Sequence, residues 1–290
     1  MSSITGRVSK IIPFSCVDGP GSRMVIFLQG CNFDCINCHN PHTIGHCDHC
    51  GECIEVCEQH CLQIKNGKLV YNPTDCIQCE KCIDCCPRSA NPTIRYFSVD
   101  EMKQQILKVT PFISGITFSG GESTLQYPFI IEVAKAIKHD PATKHLSIYI
   151  DSNGSLPIAK WELLHGYYDK TMVDLKALDD ALHQKITGRS NNRVCKAIKY
   201  LADRNKLYEI RYLLIPTLND KTTDICSLVD FYKSHELNVQ LKLIGFQPHG
   251  VRLPYNEKYR TATIEDLNCF HEKLSGLGLT NIMLGPVNRP

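Results

Sequence analysis

A chain of 290 residues with 43% apolar residues can bury the core of one large α/β domain or two smaller ones. Its formal charge of +2, with Lys and Arg scattered, gives no basic footprint for nucleic acid. No apolar run approaches the about 18 residues of a membrane span, and Met1–Lys10 has no apolar signal core, so the expected address is the cytoplasm, with no membrane partner. Seventeen cysteines in such a chain point to metal ligation rather than disulfides, because a reducing compartment keeps thiols free.

In chain order, the turn-rich segment Val17-Asp18-Gly19-Pro20-Gly21-Ser22-Arg23 leads into an apolar strand over 24–28. Cys31-x3-Cys35-x2-Cys38 follows and brings three thiolates to one loop where a tetrahedral metal or a four-iron cube wants four. An open ligand position is what separates a reactive metal site from a structural one. A capping box, Ser98 with Glu101, opens a helix to about Val109. Strands are expected at 113–118, 146–150, 171–175, 209–215 and 239–244, with a weaker one at 281–284, and helices at 129–138, 193–204, 224–234 and 264–274. That succession predicts parallel βα units in an open sheet or a full or partial barrel, with chemistry at the C-terminal strand ends. Those ends carry Ser119-Gly120-Gly121-Glu122, Asp151-Ser152-Asn153-Gly154, Asp174-Leu175-Lys176 and, after the sixth strand, Gln247-Pro248-His249-Gly250.

Residues 42–95 leave this pattern and read as a minidomain inserted between 1–41 and 96–290. Within it Cys47-x2-Cys50-x2-Cys53-x3-Cys57 recurs 29 residues later as Cys76-x2-Cys79-x2-Cys82-x3-Cys86. Paired Cys-x2-Cys units also bind zinc, but zinc pairs leave a longer gap between doublets, whereas successive two-residue spacings wrap one cube. The run resembles the bacterial two-cluster ferredoxin module. That resemblance implies one 4Fe–4S cluster on Cys47, Cys50, Cys53 and Cys86 and another on Cys57, Cys76, Cys79 and Cys82. Glu58 stands where that module has a proline, and Cys61 and Cys85 are bystanders.

The Cys31/Cys35/Cys38 spacing resembles the signature of radical S-adenosylmethionine (SAM) enzymes, and the Val17–Arg23 segment resembles the opening of glycyl-radical-enzyme activating enzymes. Thr187-Gly188, Ile210-Arg211 through Ile215-Pro216 and Asn219-Asp220 extend the likeness, and Ser15-Cys16 with the Gln247–Gly250 segment resembles the YjjW-type activases. The resemblance implies a partial (β/α)6 barrel that reductively cleaves SAM and takes a Cα hydrogen from a glycine of a partner enzyme. It further implies three 4Fe–4S clusters and a low-potential donor such as flavodoxin or ferredoxin. SAM contacts are implied for Asn37, His39, Gly120, Gly121, Glu122, Asp151, Ser152, Asp174, Lys176, Gln247 and His249, with a monovalent cation beside Asp151 and Asp174. Asp18 and Arg211 are expected to grip the inserted glycyl loop. Asn37 stands where many of these enzymes have an aromatic residue, and Gln247 where activases often have a histidine. A radical SAM enzyme of small-molecule substrates and a multi-cluster electron-transfer protein are the alternatives.

Overall fold

The computed structural model describes residues 4–285. Two compact units are present, Met1–Asn32 with Asn40–Leu146 and Phe33–His39 with Ser147–Pro290.

The first unit contains β1 (Thr5–Ser15), β2 (Arg23–Leu28), β3 (Leu62–Lys65), β4 (Lys68–Tyr71), α1 (Lys81–Asp84), β5 (Arg95–Ser98), α2 (Val99–Val109), β6 (Gly115–Gly120) and α3 (Tyr127–His139). Its main sheet runs in the order β6-β2-β1-β5. β2 lies parallel to β6, from Arg23 opposite Gly115 to Leu28 opposite Gly120, while β1 is antiparallel to both β2 and β5. Val25, Ile26, Leu28, Ile116 and Phe118 are wholly buried, as a strand covered on both faces requires. α2 starts at the expected capping box, with Ser98 and Glu101 bonding reciprocally, and buries Met102 and Ile106. α3 buries Phe129, Ile130, Val133, Ala134 and Ile137, one helical stripe.

Residues 42–95 lie within this unit and have a thin core, in which Cys53, Cys61 and Leu62 are buried but most neighbours are not. Their 29-residue repeat is also a repeat of backbone conformation. Positive φ angles recur at His49 and Gln78 (63° and 55°), Gly51 and Glu80 (86° and 62°), and His60 and Ser89 (51° and 47°). Turn bonds recur with them, Ile54 N–H to Gly51 O matching Ile83 N–H to Glu80 O, and Cys57 N–H to Ile54 O matching Cys86 N–H to Ile83 O. Between the halves, β3 and β4 form a hairpin closed by Asn66-Gly67, the residue pair that a tight hairpin turn favours.

The second unit contains β7 (Ser147–Ser152), α4 (Ile158–Leu164), β8 (Lys170–Asp174), α5 (Asp180–Thr187), α6 (Asn192–Asp203), β9 (Leu207–Leu214), α7 (Thr222–Ser234), β10 (Gln240–Gly245), α8 (Tyr255–Lys258), α9 (Ile264–Gly276) and β11 (Ile282–Leu284). Its strands are parallel and ordered β11-β10-β9-β8-β7, so the residues after their C-terminal ends share one edge of the sheet. All seven expected strands are found, as β2 and β6–β11. β1, β3, β4 and β5 are additional to that expectation: β1 buries only Gly6 and Val8 and β5 only Phe97, too weak an apolar signal to read from sequence.

Candidate functional site

In the first unit, Gly30 N–H donates to Thr43 O (2.7 Å) and Cys31 N–H to Ile44 O (3.2 Å), which fixes the start of the cysteine loop. Gln29, 1% exposed, reinforces this by donating Nε2 to His42 O (2.8 Å) and Gly45 O (2.7 Å). The Gly120–Glu122 turn packs on the same segment, with Gly121 N–H on Leu28 O (3.0 Å) and Glu122 N–H on Gly30 O (2.8 Å). Gly120 has φ of 121°, and a Cβ at Gly121 would stand 2.4 Å from Gly30 O, so only glycine allows this approach. The Glu122 carboxylate is buried and accepts from Thr124 N–H (3.1 Å) and its hydroxyl.

Asp18 accepts from Ser15 Oγ (2.5 Å), and its carbonyl accepts from Thr117 Oγ1 (2.7 Å). Arg23, fully buried, donates to Thr117 Oγ1 (2.8 Å), Ile116 O (2.6 Å) and Pro20 O (3.3 Å). The sequence pattern assigns Arg23 no role of its own; its bonds tie the 17–22 loop to β6.

In the insertion, Cys86 and Cys57 each sit with the opposite run. Gly45 N–H bonds Ser89 O (3.0 Å) and Arg88 pairs with Asp48 (2.7 Å), bringing Cys86 to Cys47. Lys81 pairs with Glu58, bringing Cys57 toward Cys82. Burial pushes Cys53 up to about 11, with Cys85, Cys47 and Cys86 adding to it; burial likewise pushes Cys82 up to about 12, with Cys53 and Cys57 adding. Without a metal these thiols stay protonated at neutral pH, and a metal that bound them would displace their protons to solvent. Among the described residues no three His, Cys, Asp or Glu side chains converge on a single-ion point. Instead Cys57, Cys76, Cys79 and Cys82 line one pocket together with Cys61 and Tyr71.

In the second unit, the rest of the cysteine loop is held from below. Asp34 N–H donates to Thr187 O and Ile36 N–H to Ile186 O, both at 2.9 Å. Ile36 is buried among Ala177, Ile186, Leu213, Phe246 and Val251, and Phe33 meets His183 edge to face. Thr187-Gly188, in sequence only a family likeness, is thus the end of α5 that carries Cys35 and Cys38. Arg252 bonds Asp34 (2.5 Å) and Cys35 O (3.4 Å).

Lys176, largely buried, pairs with Asp174 (2.6 Å). Burial works against its charge, but Asp174, Cys35 and Cys38 outweigh burial and raise its pKa. The lysine therefore stays a cation beside two of the thiols. Asp151 pairs with Arg211 (3.1 Å), which also holds Glu209 (2.6 Å). Each of the two aspartates thus has a side-chain cation as partner, Lys176 for Asp174 and Arg211 for Asp151. The Arg211 guanidinium is shared among Asp151, Glu209 and Met172 Sδ.

His39 Nε2 lies 2.9 Å from Gln247 O, so Nε2 carries the proton. Desolvation lowers the His39 pKa, opposed by that carbonyl, and the ring is neutral at pH 7. A Cβ at Gly250 (φ 77°) would stand 2.7 Å from His39 O. Asn37 Oδ1 and Gln247 Nε2 are buried without a hydrogen-bond partner, one acceptor and one donor of the kind a polar ligand satisfies. Ser152 accepts from Gly154 N–H (3.0 Å); His249 is exposed.

Residues 25–229 match the Radical SAM superfamily. The pyruvate formate-lyase-activating enzyme of Streptococcus mutans is 28% identical over 252 residues, covering 85% of this chain and 80% of the relative. That of Staphylococcus epidermidis is 25% identical over 254 residues, covering 86% and 84%. A radical SAM methyltransferase from Sphaerobacter thermophilus shares the fold (TM-score 0.57, 15% identity, 91% of this chain and 66% of that one). Streptococcus suis SuiB bound to its precursor peptide SuiA does so too (TM-score 0.57, 14% identity, 90% and 48%).

Proposed function

The chain belongs to the radical SAM superfamily, and from that premise we propose that it is a glycyl-radical-enzyme activase with an inserted two-cluster ferredoxin module. The observation that carries the reading is the loop of Cys31, Cys35 and Cys38, whose backbone is bonded at Cys31 to Ile44 in the first unit and at Asp34 and Ile36 to Thr187 and Ile186 in the second. Homology to pyruvate formate-lyase-activating enzymes over most of the chain supports activase chemistry, and the peptide bound by SuiB supports a polypeptide substrate.

Cys31, Cys35 and Cys38 would hold a 4Fe–4S cluster, which with SAM bound would supply the reductive radical chemistry that removes a Cα hydrogen from a partner glycine. The protein's own residues bind, orient and exclude water. Lys176 offsets the negative charge of Cys35 and Cys38. Asn37 Oδ1 and Gln247 Nε2 offer SAM an acceptor and a donor, and His39, fixed by the Gln247 carbonyl, keeps that segment in place; His249 borders it. Gly120 and Gly121 let backbone approach, and Glu122 accepts from the SAM ammonium. Asp151, Ser152 and Asp174 face its remaining polar groups, with Arg211 orienting Asp151. Asp18 is assigned to the inserted glycyl loop. Cys47, Cys50, Cys53 and Cys86 hold the second cluster, and Cys57, Cys76, Cys79 and Cys82 the third.

Anaerobic reconstitution should load about twelve irons, and dithionite or reduced flavodoxin should then release 5′-deoxyadenosine from SAM. Addition of a glycyl radical enzyme should give its EPR doublet. A fully loaded protein that leaves SAM intact would sink the reading. SAM cleavage without a doublet on any glycyl radical enzyme, but with turnover of a small molecule, would favour the small-molecule alternative.

A further inference from the structure

The insertion brings a fifth thiol to a pocket where a four-cornered cluster would use four. Cys61 lines the same pocket as Cys57, Cys76, Cys79 and Cys82, is 4% exposed, and belongs to neither ligand set. Its backbone N–H donates to Cys57 Sγ at 3.3 Å, while its own thiol donates to Gln59 O at 3.6 Å, a weak bond from a weak donor. The turn that places it is fixed at both ends. His60, at φ 51°, donates its N–H to Cys57 O (2.9 Å), and the Cys61 carbonyl accepts from Asn72 N–H (2.8 Å) at the foot of the β3–β4 hairpin. The chain thus returns Cys61 to the side of Cys57.

The internal repeat shows that packing does not require this sulfur. The same turn recurs after Cys86, with Ser89 at φ 47° and its N–H on Cys86 O (3.2 Å). There the position of Cys61 is taken by Ala90, wholly buried, so a methyl group satisfies the fold. The two halves differ in a second way. Cys86 is followed by Pro87, which stiffens its turn, whereas Cys57 is followed by Glu58. Glu58 is tied to the opposite run through Lys81, an ion pair exposed on both sides and therefore weak. The extra thiol accompanies the less firmly held ligand.

Resting on the two-cluster reading above, we propose that Cys61 is a reserve ligand, which takes the cluster corner of Cys57 when Cys57 is lost or lets go. In the exchange the bond from Cys57 sulfur to iron breaks and one from Cys61 sulfur forms. The proton of the Cys61 thiol passes to the departing Cys57 thiolate, so charge balances and no electron moves.

The test uses the full chain, reconstituted anaerobically with iron and sulfide and without SAM. It reads bound iron, iron release to an anaerobic chelator, and the EPR spectrum after dithionite reduction. Wild type, Cys61→Ala and Cys57→Ala should each hold about twelve irons, whereas Cys57→Ala/Cys61→Ala, with three thiols left at this cluster, should fall to about eleven or fewer. The double variant should also release iron about tenfold faster than either single variant. Cys57→Ser, which keeps the shape of the side chain, should give the same EPR spectrum as Cys57→Ala, since Cys61 is the ligand in both. A Cys57→Ala chain as depleted as the double variant overturns the proposal, and so does a double variant as full as the singles. Differing spectra for the two Cys57 variants overturn it too, by keeping residue 57 in the corner, and so does loss of iron from Cys61→Ala alone, which would make Cys61 a resident ligand or a structural support. A chain that loads as expected but leaves SAM intact in a separate assay refutes the activase reading alone. A wild type holding only about four irons refutes the two-cluster module and the reserve ligand with it.

Discussion

Arg211→Met separates a buried ionic network from a residue kept free for a partner. The Arg211 side chain is 10% exposed, with Nε 2.6 Å from Glu209 Oε1 and Nη1 3.1 Å from Asp151 Oδ2; Glu209 is 4% exposed and Asp151 18%. Burial opposes the guanidinium charge, but Asp151, Glu209 and Asp174 more than offset it, so the pKa rises and the group is a permanent cation. Methionine fills similar space and strands the Glu209 carboxylate without its cation, which for a buried pair costs about 3–5 kcal/mol. Asp151, nearer solvent, adds at most about 1 kcal/mol. The sum is a large share of the roughly 5–15 kcal/mol that holds a domain folded. Adding Glu209→Gln removes the stranded charge and should return about half of the loss. Urea unfolding followed by fluorescence reads this directly, because the chain's one tryptophan, Trp161, is wholly buried in the same unit. A single variant within about 1 kcal/mol of wild type, or a double variant no better than the single, would refute the reasoning and return Arg211 to the partner loop.

Cys35→Ala should abolish SAM cleavage under any reductant while leaving about eight irons bound; residual cleavage, read by chromatography of 5′-deoxyadenosine, would move the reactive cluster elsewhere. Anaerobic iron chelation should open residues 42–95 to protease, since so thin a core needs its metal, yet leave Trp161 fluorescence unchanged; resistance to protease after iron loss would contradict a metal-held insertion. Gly250→Ala brings a Cβ within 2.7 Å of His39 O at a φ of 77°, a strain of about 1–3 kcal/mol, and should weaken SAM binding in equilibrium dialysis with iron content unchanged. The Arg260 guanidinium, by hydrogen bond, holds the Asp266 carboxyl down at about 2. Its contribution is therefore complete above its unfolded pKa near about 4 and is lost as pH falls through about 2. With Arg260 half exposed, Asp266→Asn should cost under about 1 kcal/mol at pH 6, and the gap to wild type in urea unfolding should close in acid.

Local conformation written in contiguous residues is legible in the sequence itself: the doubled insertion run is matched by a repeat of backbone conformation, and the glycines of the Gly120–Glu122 turn by a close backbone approach. The expected strands of the second unit also stand out, because parallel strands covered on both faces read as apolar runs. What stays hidden depends on register between strands or on single side chains reaching across sequence. Asp174 lies opposite Arg211, and Asp151 reaches the same guanidinium; no spacing in the sequence shows these pairings. Gln29 reads in sequence as no more than the residue ending a strand, although its one amide clamps two carbonyls.

Both kinds of information meet at the open thiolate loop. Three thiolates repel one another and their cluster carries negative charge, so a loop that holds them needs anchors that do not compete for sulfur. Backbone bonds to Ile44, Thr187 and Ile186 and the buried Ile36 provide such anchors, and all are invisible in the cysteine spacing itself. The cation that offsets the thiolates, Lys176, arrives from the end of β8 with its own carboxylate attached. That attachment matters for the chemistry: a lone lysine in so dry a place would lose its proton, whereas one paired with Asp174 keeps its charge and still leaves the sulfurs free for iron. Under the proposed function, the spacing of the cysteines specifies which atoms bind, and the tertiary contacts leave them available to do so.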